Sequence, residues 1–401
     1  MHRVPFAPRI SFRAWPLRLS IAAVLALAST APLKAADRAA STAPMIASAW
    51  TTKGNVTFLA DKSAIVIAQG GSAELNATTF SSGTIEFDMK SPGGNVGLTF
   101  HMRGNTGDAL YFRPSADCAT SDDCVQYMRI DHGIFEWDLF GDNQARAPFS
   151  ANTWNHVKLS VKGRSMHVWV NGVPVSAPRG HRLAGAFDSG AIKLHGPASY
   201  AHLTITPAAP TDTPERSSSA ASGDAHFITR WLAANAFTMP STFDARLSEK
   251  TGIAPSIESL PAAEAFKHVL HADPTGLVNV TAALGESQKG NAIIAAWLKT
   301  VVMSEHAQVK HVSIGWTREA WVFVNGKLVY ADKNLYGIPA ASKTPDGRLS
   351  LDNGAFDLPL KKGRNEIDVL LDDNFGAGAQ HFGWGLMMRL PDLDGIQLPT
   401  K

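Results

Sequence analysis

The stretch Ser165–Val175 reads SMHVWVNGVPV, and the stretch Glu319–Tyr330 reads EAWVFVNGKLVY. Each is a strand, an Asn-Gly pair and a second strand. A two-residue hairpin loop that matches strand twist is most often type I′, with positive φ at both central residues. Asn tolerates that region and Gly has no Cβ to clash. The flanks alternate with period two. Met166, Val168 and Val170 share one face against His167 and Trp169; Val322 and Val324 oppose Trp321 and Phe323. Period two is the strand signature, so each stretch is a β-hairpin.

Between the hairpins lies TPAAPTDTPERSSSAASGDA, Thr206–Ala225, rich in Pro, Ser, Thr and Ala and without an aromatic residue. It reads as a linker, which gives each hairpin its own domain. Before it, GTIEFDMK puts Ile85, Phe87 and Met89 inward and Glu86 and Asp88 outward. GLTFHMR puts Leu98, Phe100 and Met102 inward, with Thr99, His101 and Arg103 outward. ALYFRP puts Leu110 and Phe112 inward, with Tyr111 and Arg113 outward. GIFEWDLF puts Phe135, Trp137 and Leu139 inward, with Glu136 and Asp138 outward. Many short alternating strands separated by turn residues indicate an antiparallel sandwich. After the linker, HAQVKHVSIGW, FDLPLKKGRNEIDVLLDD and WGLMMRLPD continue the pattern, while LPAAEAFKHVL is a candidate short helix. The expected fold is all-β: two antiparallel sandwiches, over 46–206 and 225–395, joined by a Pro/Ser-rich linker at 207–224.

Residues 1–36 read as a leader. Arg3, Arg9, Arg13 and Arg18 precede the apolar run Leu19–Ala28, which is too short to span a bilayer, and small residues follow near Ala35 and Ala36. The expected product is a soluble chain exported to the periplasm or secreted. Removing the leader takes away five basic residues and no acidic ones, leaving 32 basic against 35 acidic. A near-neutral balance without a basic stripe disfavours nucleic acid. The two cysteines, Cys118 and Cys124 in DCATSDDC, read as a local disulfide in an oxidising compartment.

The first domain, through GTIEFDMK, YFRP, VQYMRI, WNHVKLSVKGRSMHVWVNGVPV and GAIKLHG, resembles the concanavalin A-like lectin/glucanase and laminin-G jelly rolls. It also resembles the related 3-keto-disaccharide hydrolase domain. The second, through HVSIGWTREAWVFVNGKLVY, FDLPLKKGRNEIDVLL and GWGLMMRL, is similar to the galactose-binding-like sandwich. These resemblances imply carbohydrate association. They are specific for fold and weak for activity, which must be argued from sites.

The catalytic test is mostly negative. The glucanase resemblance implies a Glu-x-Asp-x-(x)-Glu strand, but after Glu86 and Asp88 come Lys90 and Ser91, with no second Glu. Glu136 and Asp138 form another carboxylate pair, expected near the middle of the sheet beside Arg113 and Arg103; neighbouring guanidinium groups would keep them ionised. No Gly-x-Ser-x-Gly elbow or His-Glu-x-x-His appears, and the 14 His form no zinc spacing. Asp372, Asp373 and Asn374 read either as a turn-capping cluster or as oxygen ligands for Ca²⁺; no other cofactor is implied.

The candidate ligand residues are those turned away from the first core: His101, Arg103, Tyr111, Arg113, Tyr127 and Glu136, with Gln126 nearby. The facing of Gln126 and Tyr127 is ambiguous, because Met128 and Ile130 compete for the same core. Planar rings to stack on sugar C–H faces and fixed amide, carboxylate or guanidinium groups suit carbohydrate. The bland reading is an ordinary solvated strand face. The expectation is an exported carbohydrate-binding protein that recognises a glycan or polysaccharide without hydrolysing it. The alternatives are a glycoside-active enzyme resembling the 3-keto-disaccharide hydrolases, using Glu136, His101 or Tyr111, and a protein-interaction module. Trp316, Trp321, Asn325 and Trp384 are weaker candidates in the second domain.

Overall fold

Both Asn-Gly pairs form the expected turns. Asn171 and Gly172 have φ of 50° and 77°, and Asn325 and Gly326 have 49° and 80°. Each Asn also reaches outside its own hairpin. Asn171 Nδ2 donates to the Pro148 carbonyl and its Oδ1 accepts from the His156 amide. Asn325 Nδ2 donates to Asn365 Oδ1 and its Oδ1 accepts from the Glu366 amide. The turn residue required by backbone geometry thus also fastens the hairpin to the neighbouring strand.

A computed structural model of the chain describes residues 39–175, 181–208, 223–239, 257–285, 293–373 and 382–399. The segment expected as a leader, most of the segment expected as a linker and Asn374 lie outside the described residues.

Among those residues the chain forms two antiparallel sandwiches. The first has a nine-stranded sheet, with Gly83–Lys90 between Asn155–Lys162 and Ala198–Pro207. Its eight-stranded sheet runs Ile134–Phe135, Val125–Asp131, Thr106–Phe112, Val96–Arg103, Ala191–His195, Ser72–Leu75, Trp50–Lys53, and the eighth strand, Gln144–Ala145, also pairs with Val125–Asp131. Ile85, Phe87, Leu98, Phe100, Leu110, Phe112 and Val168 fill the space between the two sheets. Fully burying an apolar side chain of this size contributes roughly 1.5–3 kcal/mol, so the alternating pattern fixes the facing of each strand.

The second sandwich pairs an eight-stranded sheet with a four-stranded one. Val322 and Val324 enter its main core with Trp231, Trp316 and Ile367. Trp321 and Phe323, on the opposite face of the same strand, are also buried, in a separate cluster with Trp297 and Leu370. Trp316, Trp321 and Trp384 are therefore core residues. The segment expected as a helix is a short 3₁₀ turn, Ala263–Ala265, followed by the strand Phe266–His271.

The two sandwiches belong to one compact unit, Asp37–Lys401. A third apolar cluster lies between them: Met102, Met128, Ile130, Leu139 and Phe140 of the first meet Phe227, Leu277, Leu349 and Met387 of the second. The outer face of the first sandwich's eight-stranded sheet is therefore largely covered.

Candidate functional site

That cover changes the standing of the candidate ligand residues. His101 is turned inward. It has φ of 54° at a register irregularity between Phe100 and Arg103. A bulge swaps the faces of the residues after it, so Met102 joins the inter-sandwich cluster and His101 enters the interior. There its Nδ1 bonds Asp108 Oδ2 at 2.9 Å and its Nε2 bonds the Ser81 carbonyl at 2.8 Å. Tyr127 also points into the core, and its hydroxyl donates to Asp108 Oδ1 at 2.6 Å. Met128 and Ile130 face the second sandwich instead, which resolves the ambiguity of this strand. Arg103 is exposed at a strand end, where Nε donates to the Ser189 carbonyl at 3.0 Å and the guanidinium lies over Phe187.

The reading of GIFEWDLF also needs correction. Strand structure stops at Ile134–Phe135, on the edge of the sheet and not near its middle. The chain then turns, so period-two facing ends. Phe135 and Trp137 stay half-buried, while Glu136 and Asp138 are wholly buried against the second sandwich. Glu136 Oε2 accepts from Asn279 Nδ2 at 2.7 Å, and Oε1 has no hydrogen-bond partner among the described residues. Burial raises its carboxyl to about 8, against the opposing pull of Arg129 and the Asn279 bond. The expected lowering by flanking arginines is thus reversed: desolvation outweighs the nearby cation. Asp138 is raised by burial to about 6, opposed by Arg318, whose Nη2 donates to Oδ2; Oδ1 accepts from the Gly383 amide at 3.0 Å.

Tyr111, Arg113 and Gln126 stay together. Arg113 Nη2 donates to Gln126 Oε1 at 2.7 Å, Nε to Asn95 Oδ1 and Nη1 to the Asp123 carbonyl. Gln126 Nε2 in turn donates to the Trp137 carbonyl. Tyr111 packs on Phe135 with ring centroids 5.4 Å apart, and on His195 at 6.4 Å. Burial holds His195 neutral, at about 4, with Lys193 adding to the effect. Trp137 meets Tyr336 of the second sandwich at 4.9 Å, and Tyr336 is 40% exposed. Arg348 stacks over Trp137 at 5.7 Å and donates to Asp123 Oδ1 at 2.9 Å.

Among the described residues, the result is a partly exposed shelf of rings and locked polar groups at this edge of the sheet. Of the candidates read from the sequence, Tyr111, Arg113 and Gln126 come together here, with Gln126 wholly buried. Tyr336 and Arg348 join them from the second sandwich, and no local pattern shows which distant loop reaches this edge. Trp137, expected to face inward, stays half-buried because the alternation ends at Phe135.

Glu86 and Asp88 lie on the outer face of the nine-stranded sheet. Burial alone would raise Asp88, but bonds from His202 and His156 hold it below the usual range. Asp372 Oδ1 accepts from the Glu319 amide and Asp373 Oδ1 from the Ile294 amide. Among the described residues no cluster of His, Cys, Asp and Glu has the arrangement of a metal site. Cys118 and Cys124 form the disulfide.

Residues 46–205 match the family model described as the 3-keto-alpha-glucoside-1,2-lyase-like domain. No curated protein matches the chain. Similar solved structures include the carbohydrate-binding module CBM66 from Bacillus subtilis, at 16% identity over 39% of this chain and 91% of that one, with a TM-score of 0.29. A putative glycosyl hydrolase from Parabacteroides distasonis matches at 15% identity over 40% and 89%, TM-score 0.29. Domain 4 of an extracellular arabinanase from Geobacillus stearothermophilus, solved with arabinotriose, matches at 13% identity over 42% and 85%, TM-score 0.27.

Proposed function

We propose that this chain is an exported, periplasmic or secreted carbohydrate-binding protein and that the shelf around Tyr111, Arg113, Trp137 and Tyr336 takes the glycan. The observation that carries the reading is the partly exposed ring surface beside the half-buried Arg113 guanidinium, which is held from behind by Asn95, Asp123 and the wholly buried Gln126 amide. Rings supply stacking area for C–H faces at low entropic cost, and preformed polar groups meet hydroxyls without reorganisation. The family match over the first sandwich supports a carbohydrate ligand. The test is a glycan and polysaccharide array on the mature protein, followed by titration of each hit. Tyr336→Ala is expected to weaken binding roughly tenfold, as loss of one stacking partner with its buried area requires. Undiminished binding by this variant would move the site elsewhere.

A second reading, a glycoside-active enzyme, is supported by the 3-keto-alpha-glucoside-1,2-lyase-like match over residues 46–205. Glu136 carries its proton at neutral pH, as a general acid must, but its carboxyl is wholly buried and would have to be uncovered to reach a substrate. Product analysis on the same array hits separates the readings: products that vanish in Glu136→Gln make the protein an enzyme.

A further inference from the structure

Beyond Asp138 the two sandwiches part around a cleft of about 1010 Å³. Its apolar lining includes Leu139 and Phe140 from the first sandwich and Leu277 and Met387 from the second. Its polar lining divides into committed and uncommitted groups. Arg129 is paired with Asp131, and Arg164 with Asp188. Asn279 is spent on Glu136 and on capping the Ala282 amide. The side chains of Arg182, Asn143, His271 and Asp352 line the cleft and make no hydrogen bond or ion pair among the described residues.

We propose that this cleft is a second binding site, for a neutral oligosaccharide of a few units; the proposal rests on the carbohydrate reading above. Three arguments carry it. The first is charge. Three arginines on the wall face Asp142, Asp273 and Asp352, so there is no net positive field to hold a phosphate or an acidic polymer. The second is chemistry. A sugar hydroxyl both donates and accepts, and the uncommitted groups offer both: Arg182 donates, Asp352 accepts, and the Asn143 amide does each. The apolar lining from both sandwiches suits the C–H face of a pyranose ring. The third is size. Ligand pockets span roughly 300–1,000 Å³, so this cleft stands at the upper end and exceeds the needs of a single sugar.

The test is calorimetric titration of the full mature chain with malto-, cello-, xylo- and laminari-hexaose, counting sites. Arg182→Ala with Asp352→Asn removes the uncommitted cleft charges, and Tyr336→Ala removes the exposed shelf ring. Binding to two sites is expected, one weakened roughly tenfold or more by the cleft pair and the other by Tyr336→Ala. A single site sensitive to the cleft pair and indifferent to Tyr336→Ala supports the cleft and overturns the shelf. A single site lost in Tyr336→Ala and indifferent to the cleft pair overturns the cleft and leaves the shelf standing. No binding by the wild type to any of these sugars overturns the cleft proposal; a silent glycan array then sinks the carbohydrate reading as well.

Discussion

Arg318 of the second sandwich closes on Asp138 of the first, and neither side chain reaches solvent. A buried ion pair gains little over a well-packed apolar pair, because two charges must be desolvated. Removing one partner is different, since it takes a charge-compensating contact from a buried ion, at a cost of up to about 3–5 kcal/mol. Asp138→Ala should therefore destabilise the chain by about that amount in urea denaturation, and Asp138→Leu with Arg318→Met should recover most of the loss. A loss below about 1 kcal/mol for Asp138→Ala would mean that the seam is not held there.

Glu136 gives the seam a pH dependence. Its carboxyl is raised from the ordinary 4.5 to about 8 by burial. The folded state then holds a proton that the unfolded chain has released, so stability falls as pH rises. The contribution is complete below pH 4.5, is lost as pH climbs through 8, and changes no further above that. Each pH unit inside the window is worth up to about 1.4 kcal/mol. Melting temperatures from pH 5 to 9 should drop more steeply for the wild type than for Glu136→Gln, which cannot ionise. Parallel profiles would show that Glu136 does not titrate in this range.

His101 and Tyr127, chosen from the sequence as ligand residues, should behave as core residues. Both bond Asp108, and Asp108 also accepts from the Gly185 amide at 3.0 Å. Tyr127→Phe removes one donor from a buried carboxylate, at a cost of about 1–3 kcal/mol. Glycan affinity should not change beyond what lost folding explains. A variant that folds as stably as the wild type but no longer binds sugar would return Tyr127 to the site.

The parts legible in the sequence were those set by local chemistry. Asn171-Gly172 and Asn325-Gly326 had to turn with positive φ, and Ile85, Phe87, Leu110 and Phe112 had to face a core. The parts that were not legible depend on contacts distant in the chain. Nothing near Glu136 announces Asn279, and nothing near Asp138 announces Arg318. The outward carboxylates therefore read as solvated when they are sealed. A bulge is equally silent, because one extra residue at His101 leaves the apolar alternation intact to the eye while reversing the faces beyond it. Only Tyr111, Arg113 and Gln126 kept company as expected, since regular pairing of Thr106–Phe112 with Val125–Asp131 brings them together.

The Cys118–Cys124 disulfide should matter to the shelf as well as to stability. The two half-cystines are six positions apart and buried. Closing so short a loop contributes only about 2 kcal/mol by chain entropy. The loop also carries Asp123, whose carbonyl accepts from Arg113 at 3.1 Å and whose carboxylate accepts from Arg348 at 2.9 Å. Both partners belong to the shelf, one on each sandwich, so opening the loop frees a group that spans the seam. Reduction, or Cys118→Ser with Cys124→Ser, should lower the melting temperature by a few degrees and weaken glycan binding through loss of Arg113 positioning. The double variant should show no further response to reductant. If the reduced wild type melts and binds as the oxidised protein does, the clip is incidental, and Arg113 is held well enough by Asn95 and Gln126 alone.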